Sequence, residues 1–182
     1  RALMRGFVAW HRERHVDDIA LIDRYFDANE FERELAGLPG KYAPPKGSLL
    51  IAYHAGKPAG CVALRDLGDG NCEMKRMFIP VALRGPGIGK ALAGQIIADA
   101  RSPGYSRMRL DTSIHQPEAM RPYEKSGIRR IAPYDELPDG MKTWLVVFDL
   151  TPRNPHCLPV RDRLVLEPYR RRLVCHVPTG PQ

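Results

Sequence analysis

The segment RGPGIGKAL, Arg84 to Leu92, decides the fold because it joins a predicted strand to a predicted helix through three glycines in five residues. Its spacing excludes two familiar phosphate loops. A nucleoside-triphosphate loop would need glycine in place of Arg84 and a hydroxyl side chain in place of Ala91. A dinucleotide fingerprint would put its last glycine on Lys90 or on Leu92. The segment therefore indicates a different phosphate ligand.

Hydrophobic periodicity divides the rest of the chain into helical and β segments. The predicted helices are residues 2–14, 17–36, 87–100 and 118–126, and the predicted strands are residues 49–53, 59–65, 72–79, 107–111 and 141–150. Helices come first, a run of antiparallel strands follows, and strands and helices then alternate. This order predicts an α/β fold whose sheet mixes meander and crossover connections.

The glycine segment is typical of an anion site, because a helix N-terminus offers unpaired backbone N–H groups and the positive end of the helix dipole. Arg84, Gly87 and Gly89 form the pattern R-x-x-G-x-G, which resembles the pyrophosphate loop of the GNAT N-acetyltransferase superfamily. The segments CEMKRMFI before the loop, RMRLDT after its helix and MRPYEKSGI further on resemble neighbouring elements of that superfamily. The late-helix intervals fall on Ala119, Tyr123 and Gly127, and Ile128 replaces the usual Phe. The resemblance covers about residues 49–150.

The resemblance implies both a fold and a co-substrate. The fold would be a GNAT-like mixed, mostly antiparallel central sheet flanked by helices, with a V-shaped splay between the family's fourth and fifth strands. Acetyl-CoA would bind with its pyrophosphate at the glycine loop and its pantetheine arm along free backbone groups of the splay. The residues implied to bind it are Met77, Phe78, Ile79, Arg84, Gly85, Pro86, Gly87, Ile88, Gly89, Lys90, Gln116 and Ala119. Gln116 lies where the family often has an Asn.

The resemblance also implies two catalytic candidates. The tyrosine that matches Tyr123 often lies near the thioester sulfur, and a phenol is protonated at neutral pH, so Tyr123 is expected to be the general acid. Its alternative is a tyrosine packed on the sheet, and the preceding Pro122 would kink the helix. Glu73, on the strand before the loop, is the candidate general base. Its alternatives are a structural carboxylate paired with Lys75, Arg76 or a neighbouring strand, or a carboxylate that binds a cationic substrate.

Composition limits the other function classes. The net charge is +7, but residues 151–182 carry six Arg against Asp162 and Glu167, so the body has no basic stripe and nucleic-acid binding is not favoured. No apolar run reaches the length of about 18 residues that a membrane span needs. The four cysteines form no CxxC pair, which indicates a reducing, cytoplasmic setting without a disulfide framework.

No metal is expected. The segment HRERH, His11 to His15, has histidines four residues apart, but its Glu occupies the wrong position for a zinc helix and a solvated helix face is the expected explanation. His156-Cys157 and Cys175-His176 match no zinc module.

The ends of the chain depart from the family. Residues 1–150 are expected to form the acetyltransferase domain, apparently without the family's first edge strand, and residues 151–182 form a basic extension rich in Pro and Arg. Part of that extension, residues 172–177, is expected to pair with an exposed sheet edge of the same chain or of a second copy in a homodimer.

The sequence thus predicts transfer of an acetyl group from acetyl-CoA to a primary amine of a small molecule. The alternatives are an acyl-CoA-binding or sensing module without turnover, a protein N-acetyltransferase, and a nucleic-acid- or partner-binding protein that uses the arginine-rich extension. Deleting residues 151–182 would separate the last of these from the others.

Overall fold

The structure, a computed structural model, describes residues 1–85, 87–120, 128–133, 140–152, 164–167 and 172–175. Its helices are α1 (Ala2–Arg14), α2 (Ile19–Tyr25), α3 (Ala28–Ala36), α4 (Ile88–Arg101) and α5 (Met141–Trp144), and residues 117–120 are also helical. Its strands are β1 (Ser48–His54), β2 (Lys57–Gly68), β3 (Asn71–Phe78), β4 (Arg107–Ser113), β5 (Arg129–Ile131), β6 (Leu145–Leu150), β7 (Leu164–Glu167) and β8 (Arg172–Cys175).

The described strands form one sheet in the order β5-β6-β4-β3-β2-β1-β8-β7. Neighbouring strands are antiparallel except for the pairs β3–β4 and β1–β8, which are parallel. The connection from β3 to β4 passes through α4, as a parallel pair requires. The predicted mixed, mostly antiparallel α/β sheet is therefore confirmed.

Helices cover both faces of the sheet and create two cores. On one face α4 buries Ile88, Leu92 and Ile96 against the sheet. On the other face α1, α2 and α3 bury a second cluster that includes Met4, Ile22 and Leu35. The apolar residues of α4 recur at helical spacing, so one stripe of this helix faces the sheet.

The parallel pair β3–β4 separates part of the way along its length. The ladder runs from Asn71↔Arg107 to Met74↔Leu110, whereas β3 continues to Phe78 and β4 to Ser113. Beyond Met74 and Leu110 the two strands are no longer paired with each other, in agreement with the predicted splay. The splay therefore opens directly beside the start of α4.

A β-bulge in β3 adjoins the splay. Between the pairs Ala63↔Lys75 and Cys61↔Phe78, β3 has two residues where β2 has one, and Arg76 adopts a φ of +57°. The side chains of Lys75 and Arg76 consequently both lie on the face covered by α1 to α3, because Lys75 contacts Tyr25 and Arg76 contacts Glu34.

Three elements differ from the sequence prediction. The single helix expected at residues 17–36 is two helices, because the chain breaks at Phe26 and the Asp27 carboxylate accepts from the Glu30 N–H to begin α3. The strand expected at residues 141–150 starts with the helical turn α5 and becomes extended only at Leu145. The short strand β5 was not predicted. Most of the helix predicted at residues 118–126 lies outside the described residues.

The edge of the sheet next to β1 is occupied by the C-terminal extension. β8 pairs in parallel with β1 through Ile51↔Arg172, Ala52↔Leu173 and Tyr53↔Val174, and β7 then pairs antiparallel with β8. The expected pairing of residues 172–177 with a sheet edge is confirmed for Arg172–Cys175, within the same chain. In the described region that precedes β1, all regular structure is helical.

Candidate functional site

A cavity of about 660 Å³ lies between α1 and α2 on one side and the splayed part of β3 and β4 on the other. At one end it reaches the glycine segment and the first turn of α4. At the other end it reaches Tyr25, Lys75 and Asp111. The cavity therefore connects a helix N-terminus with a buried polar cluster through the opening between two strands.

The glycine segment has the geometry of an anion cradle. Gly85 and Gly87 adopt φ angles of +109° and +91°, which glycine reaches without strain. Gly87 is the N-cap of α4, so the unpaired N–H groups of the first turn belong to the residues that follow it. A Cβ built on Gly85 or Gly87 would meet no atom within 4 Å, so the space in front of the backbone is free.

All eleven described residues that were predicted to bind the co-substrate line this one cavity: Met77, Phe78, Ile79, Arg84, Gly85, Gly87, Ile88, Gly89, Lys90, Gln116 and Ala119. Pro86, the remaining predicted residue, lies outside the described residues. The predicted set thus converges on the glycine segment and the splay, although it comes from two separate parts of the chain.

Arg84 holds the glycine segment against α1. Its Nε donates to the Ile79 carbonyl at 3.1 Å, and its guanidinium lies over the Trp10 ring, 4.7 Å from the ring centroid. The Arg84 side chain therefore already has a backbone acceptor and an aromatic partner. Lys90, on the first turn of α4, is exposed beside the cavity.

Gln116 lies inside the protein rather than at its surface. Gln116 is 5% exposed. Its Oε1 accepts a hydrogen bond from the Thr112 hydroxyl at 2.6 Å, and its Nε2 lies 3.5 Å from the His15 Nε2. These contacts fix the amide in the cavity wall between β4 and α1.

Of the two catalytic candidates, the structure describes only Glu73. Tyr123 lies outside the described residues. Glu73 is buried, with a side chain 3% exposed, and its Oε2 accepts from the Arg65 Nε at 2.5 Å while its Oε1 lies 3.5 Å from the Lys75 Nζ. Glu73 is not part of the cavity lining. These contacts favour the structural alternative, and the general-base role of Glu73 stays a prediction.

Sequence reasoning missed a polar cluster at the point where β3 and β4 separate. We call Tyr25, Lys75 and Asp111 the apex cluster. The Lys75 Nζ donates to the Tyr25 Oη at 2.6 Å and to the Asp111 Oδ2 at 2.9 Å. The signal in the sequence was the presence of three charged residues in each of the strands NCEMKRMF and RMRLDTS, since charged residues are rarely buried without a partner.

Arg76 adds a second ion pair to the same face of the sheet. Its guanidinium donates to both oxygens of Glu34 at 2.9 and 3.0 Å, and Lys41 contacts Glu34 at 2.7 Å. Burial alone would raise the pKa of Glu34, but the two cations outweigh it and lower the pKa to about 2. The positive charge of Arg76 on the cavity wall is therefore matched by a carboxylate.

The histidines of α1 do not form the expected solvated face. His11 and His15 are 6% and 4% exposed, and both pack beside the Trp144 ring. Burial, followed by the nearby His15, lowers the pKa of His11 to about 3, so its imidazole is neutral at physiological pH. The expectation was wrong because the i, i+4 spacing points both rings toward the second core.

Two general properties concern the part of the chain that the structure describes. There, no group of three or more His, Cys, Asp or Glu side chains is placed to hold a metal ion. Nor does any described helix combine the length and apolar character that crossing a membrane requires.

Curated relatives match about half of this chain. An uncharacterized N-acetyltransferase of Schizosaccharomyces pombe is 40% identical over 103 residues, which cover 56% of this chain and 63% of that protein. An IAA acetyltransferase of Azospirillum brasilense is 34% identical over 93 residues, which cover 50% of this chain and 61% of that protein. The chain thus spans less than two thirds of the length of either relative.

Solved structures share the fold. A GNAT-family acetyltransferase of Staphylococcus aureus superposes with a TM-score of 0.58 at 18% identity, and the match covers 79% of this chain and 94% of that chain. The model of the acetyltransferase (GNAT) family matches residues 7–128, which include the second half of α1, the bulged strand, the glycine segment and the residues of the cavity wall up to Ala119. The chain belongs to the acetyltransferase (GNAT) family.

Proposed function

We propose that the protein transfers an acetyl group from acetyl-CoA to a primary amine of a small molecule, by direct attack of the amine in a ternary complex. The observation that supports this most is the continuity of the cavity, which joins the glycine segment to the apex cluster through the splay. A single cavity with two differently built ends suits two substrates that must meet. The relatives named as acetyltransferases support the same reaction class.

The end formed by the glycine segment would hold the pyrophosphate. Gly85 and Gly87 adopt positive φ angles and leave free space beside the backbone, and the first turn of α4 adds unpaired N–H groups and the positive end of its dipole. The pantetheine arm would lie in the splay, where Met77, Phe78 and Ile79 supply backbone groups. An extended arm paired with a free strand edge satisfies the backbone groups that the opposite strand leaves unpaired.

The chemistry needs a neutral amine, a polarised carbonyl and a proton for the leaving group. The amine nitrogen attacks the thioester carbonyl carbon, the C–N bond forms and the C–S bond breaks. The nitrogen releases one proton as the amide forms, and the sulfur takes one up. We assign the donor to the sulfur to the hydroxyl of Tyr123, since a phenol is protonated at neutral pH. The proton released by the nitrogen, carried by solvent, then restores that hydroxyl.

Replacing Tyr123 by Phe should lower kcat by about 100-fold or more, because a positioned proton donor contributes on that scale. Binding of acetyl-CoA, measured by calorimetry, should not change. Tyr105→Phe is the matched control, since the Tyr105 hydroxyl donates to the Lys46 carbonyl away from the cavity. A Tyr123→Phe enzyme with the kcat of the wild type would exclude the general-acid role.

Replacing Glu73 by Gln separates its two roles. If the carboxylate mainly balances Arg65 and Lys75, we expect the variant to lose about 1–3 kcal/mol of unfolding free energy and to keep most of its kcat. Urea unfolding and steady-state kinetics on the same preparation measure both. A fall in kcat of about 100-fold at unchanged stability would instead support the general base.

Acetyl-CoA consumption over a panel of primary amines, with the acetylated product identified by mass spectrometry, tests the proposal as a whole. Saturable binding of acetyl-CoA without acetylation of any amine would favour the acyl-CoA-binding module. Acetylation confined to polypeptide amino groups would favour a protein N-acetyltransferase.

A further inference from the structure

The apex cluster occupies the position at which β3 and β4 part. The ladder ends at Met74↔Leu110, and Lys75 and Asp111 are the next residue on each strand. Their side chains meet across this point, 2.9 Å apart, on the face that α1 and α2 cover. Both residues line the cavity. Any group that extends from the splay toward α2 therefore meets the apex cluster first.

The Asp111 carboxylate has unused capacity to accept hydrogen bonds. Its Oδ2 accepts from the Lys75 Nζ at 2.9 Å and lies 3.3 Å from the Tyr25 Oη, whereas its Oδ1 makes a long contact of 3.5 Å with the same hydroxyl. A carboxylate offers about four lone-pair positions. The Oδ1 therefore remains able to accept from a donor in the cavity.

The charge around Asp111 allows it to bind a cation. Arg65, Glu73, Lys75 and Asp111 form a row in which cations and carboxylates alternate. Among the described residues that line the cavity, the other carboxylate is Glu118, which is 47% exposed and pairs with Arg14 at 2.8 Å. Asp111 is only 12% exposed, so its field is screened much less by water than that of Glu118.

The walls beside the apex cluster are mainly apolar. They include the rings of Phe7, Phe26 and Trp144 and the side chain of Leu145. His11, on the same wall, is neutral at physiological pH, and Arg76 is held by both oxygens of Glu34. A second charge on the acceptor would lose much of its hydration there, which is costly.

We propose that the Asp111 carboxylate binds the amino group of the acceptor, and that the acceptor is a primary amine carried on an aromatic or alkyl body without a further charge. This inference rests on the proposed function, because it assigns the amine end of the same cavity. Lys75 and Tyr25 act as positioning residues, since they hold the carboxylate mainly through its Oδ2 and leave its Oδ1 with one long contact.

The first test compares Asp111→Asn with Asp149→Asn. Asp149 is a carboxylate on the adjacent strand β6 whose side chain is 4% exposed. It pairs with Arg107 at 2.6 Å and does not line the cavity. With 2-phenylethylamine as the probe, titrated in the presence of CoA so that no reaction occurs, Asp111→Asn should weaken amine binding by about 10- to 100-fold, as expected for a hydrogen bond to a charged group. Asp149→Asn should bind the amine as the wild type does, and both variants should keep their affinity for CoA.

Selectivity of the unmodified protein gives a second test that does not depend on the folding of a variant. We expect 2-phenylethylamine to bind at least about 10-fold more tightly than 1,4-diaminobutane or phenylalanine, because each of the latter brings an additional charge to the apolar walls. Binding of the amine without its acetylation would leave this inference standing and would contradict the proposed function. Absence of amine binding, equal effects of the two Asn variants, or a preference for a doubly charged acceptor would overturn the inference.

Discussion

Replacement of Gly87 by Glu is expected to weaken acetyl-CoA binding by at least about 100-fold, since a like charge that faces a phosphate costs several kcal/mol and each 1.4 kcal/mol is a factor of ten. Gly87 has a φ of +91° and caps α4, so the new side chain would also strain the backbone. Its carboxylate would lie at the helix N-terminus, where it would occupy the N–H groups proposed for the pyrophosphate. Calorimetric titration with acetyl-CoA measures the loss.

The control for this change is Gly56→Glu. Gly56, in the turn between β1 and β2, has a φ of +74°, and a Cβ built on it would meet no atom within 4 Å. The substitution therefore introduces similar backbone strain and the same charge away from the cavity. Retained binding in the Gly56 variant together with lost binding in the Gly87 variant would assign the phosphates to the glycine segment. Equal binding by both would show that this segment does not hold them.

Acid is expected to destabilise the protein through His11. Its pKa is lowered from 6.5 to about 3 in the folded protein. Below about pH 6.5 the imidazole is therefore protonated in the unfolded chain, whereas in the folded protein it stays neutral down to about pH 3. Stability is therefore intact above pH 6.5 and falls as the pH decreases through this window. The full loss approaches about 5 kcal/mol, at 1.36 kcal/mol per unit of pKa. By pH 5, where Glu34 still contributes nothing to the pH dependence because it is ionised in both states, about 2 kcal/mol should be lost.

His11→Phe should reduce this dependence, because it keeps a ring among Phe7, Phe26 and Trp144 and removes the titrating group. Urea unfolding at about pH 7.5 and pH 5 should show a smaller loss of free energy in the variant than in the wild type, by about 2 kcal/mol. His115→Phe is the control, since the His115 side chain is 54% exposed. A His11→Phe protein that loses as much stability as the wild type would contradict the buried neutral imidazole.

The parts of the molecule that the sequence predicted are those with local determinants. The glycine segment, the strand before it and α4 follow from glycine spacing and from a single apolar stripe, and the structure confirms them within one residue at Ile88 and Arg101. The resemblance to the GNAT superfamily that this pattern supports implied a set of residues of which eleven line one cavity. Hairpin turns rich in glycine similarly fixed β1, β2 and β3.

The parts that were not predicted depend on contacts between distant segments. The break at Phe26 between α2 and α3 is stabilised by packing of Phe26 in the second core and by the cap at Asp27, and the apolar period alone continues across it. The burial of His11 depends on Trp144, more than a hundred residues away. The apex cluster depends on a strand register that joins Lys75 to Asp111. No window of neighbouring residues contains this information.

The pairing of β8 with a sheet edge was predicted only as a hypothesis, because it requires that the rest of the chain leave an edge of the sheet unpaired. The helices that precede β1 leave its outer edge open, and Ile51 to Tyr53 accept Arg172 to Val174 in parallel. An uncovered edge exposes unpaired backbone groups, so a strand from the same chain removes a site for association between molecules.

The bulge at Arg76 has a consequence for how such an enzyme can change its substrate. Because β3 gains one residue there, Lys75 and Arg76 both face the α1–α3 layer, and Met77 then packs on the α4 side. Substitutions at the first two positions would alter the end of the cavity that we propose for the amine, while the end at the glycine segment would keep its side chains. Deleting one residue of the bulge would restore the strict alternation of side chains along β3. All residues of β3 on one side of the deletion would then move to the opposite face of the sheet. New specificities are therefore accessible by point substitution, whereas a change in strand length would disturb both ends at once.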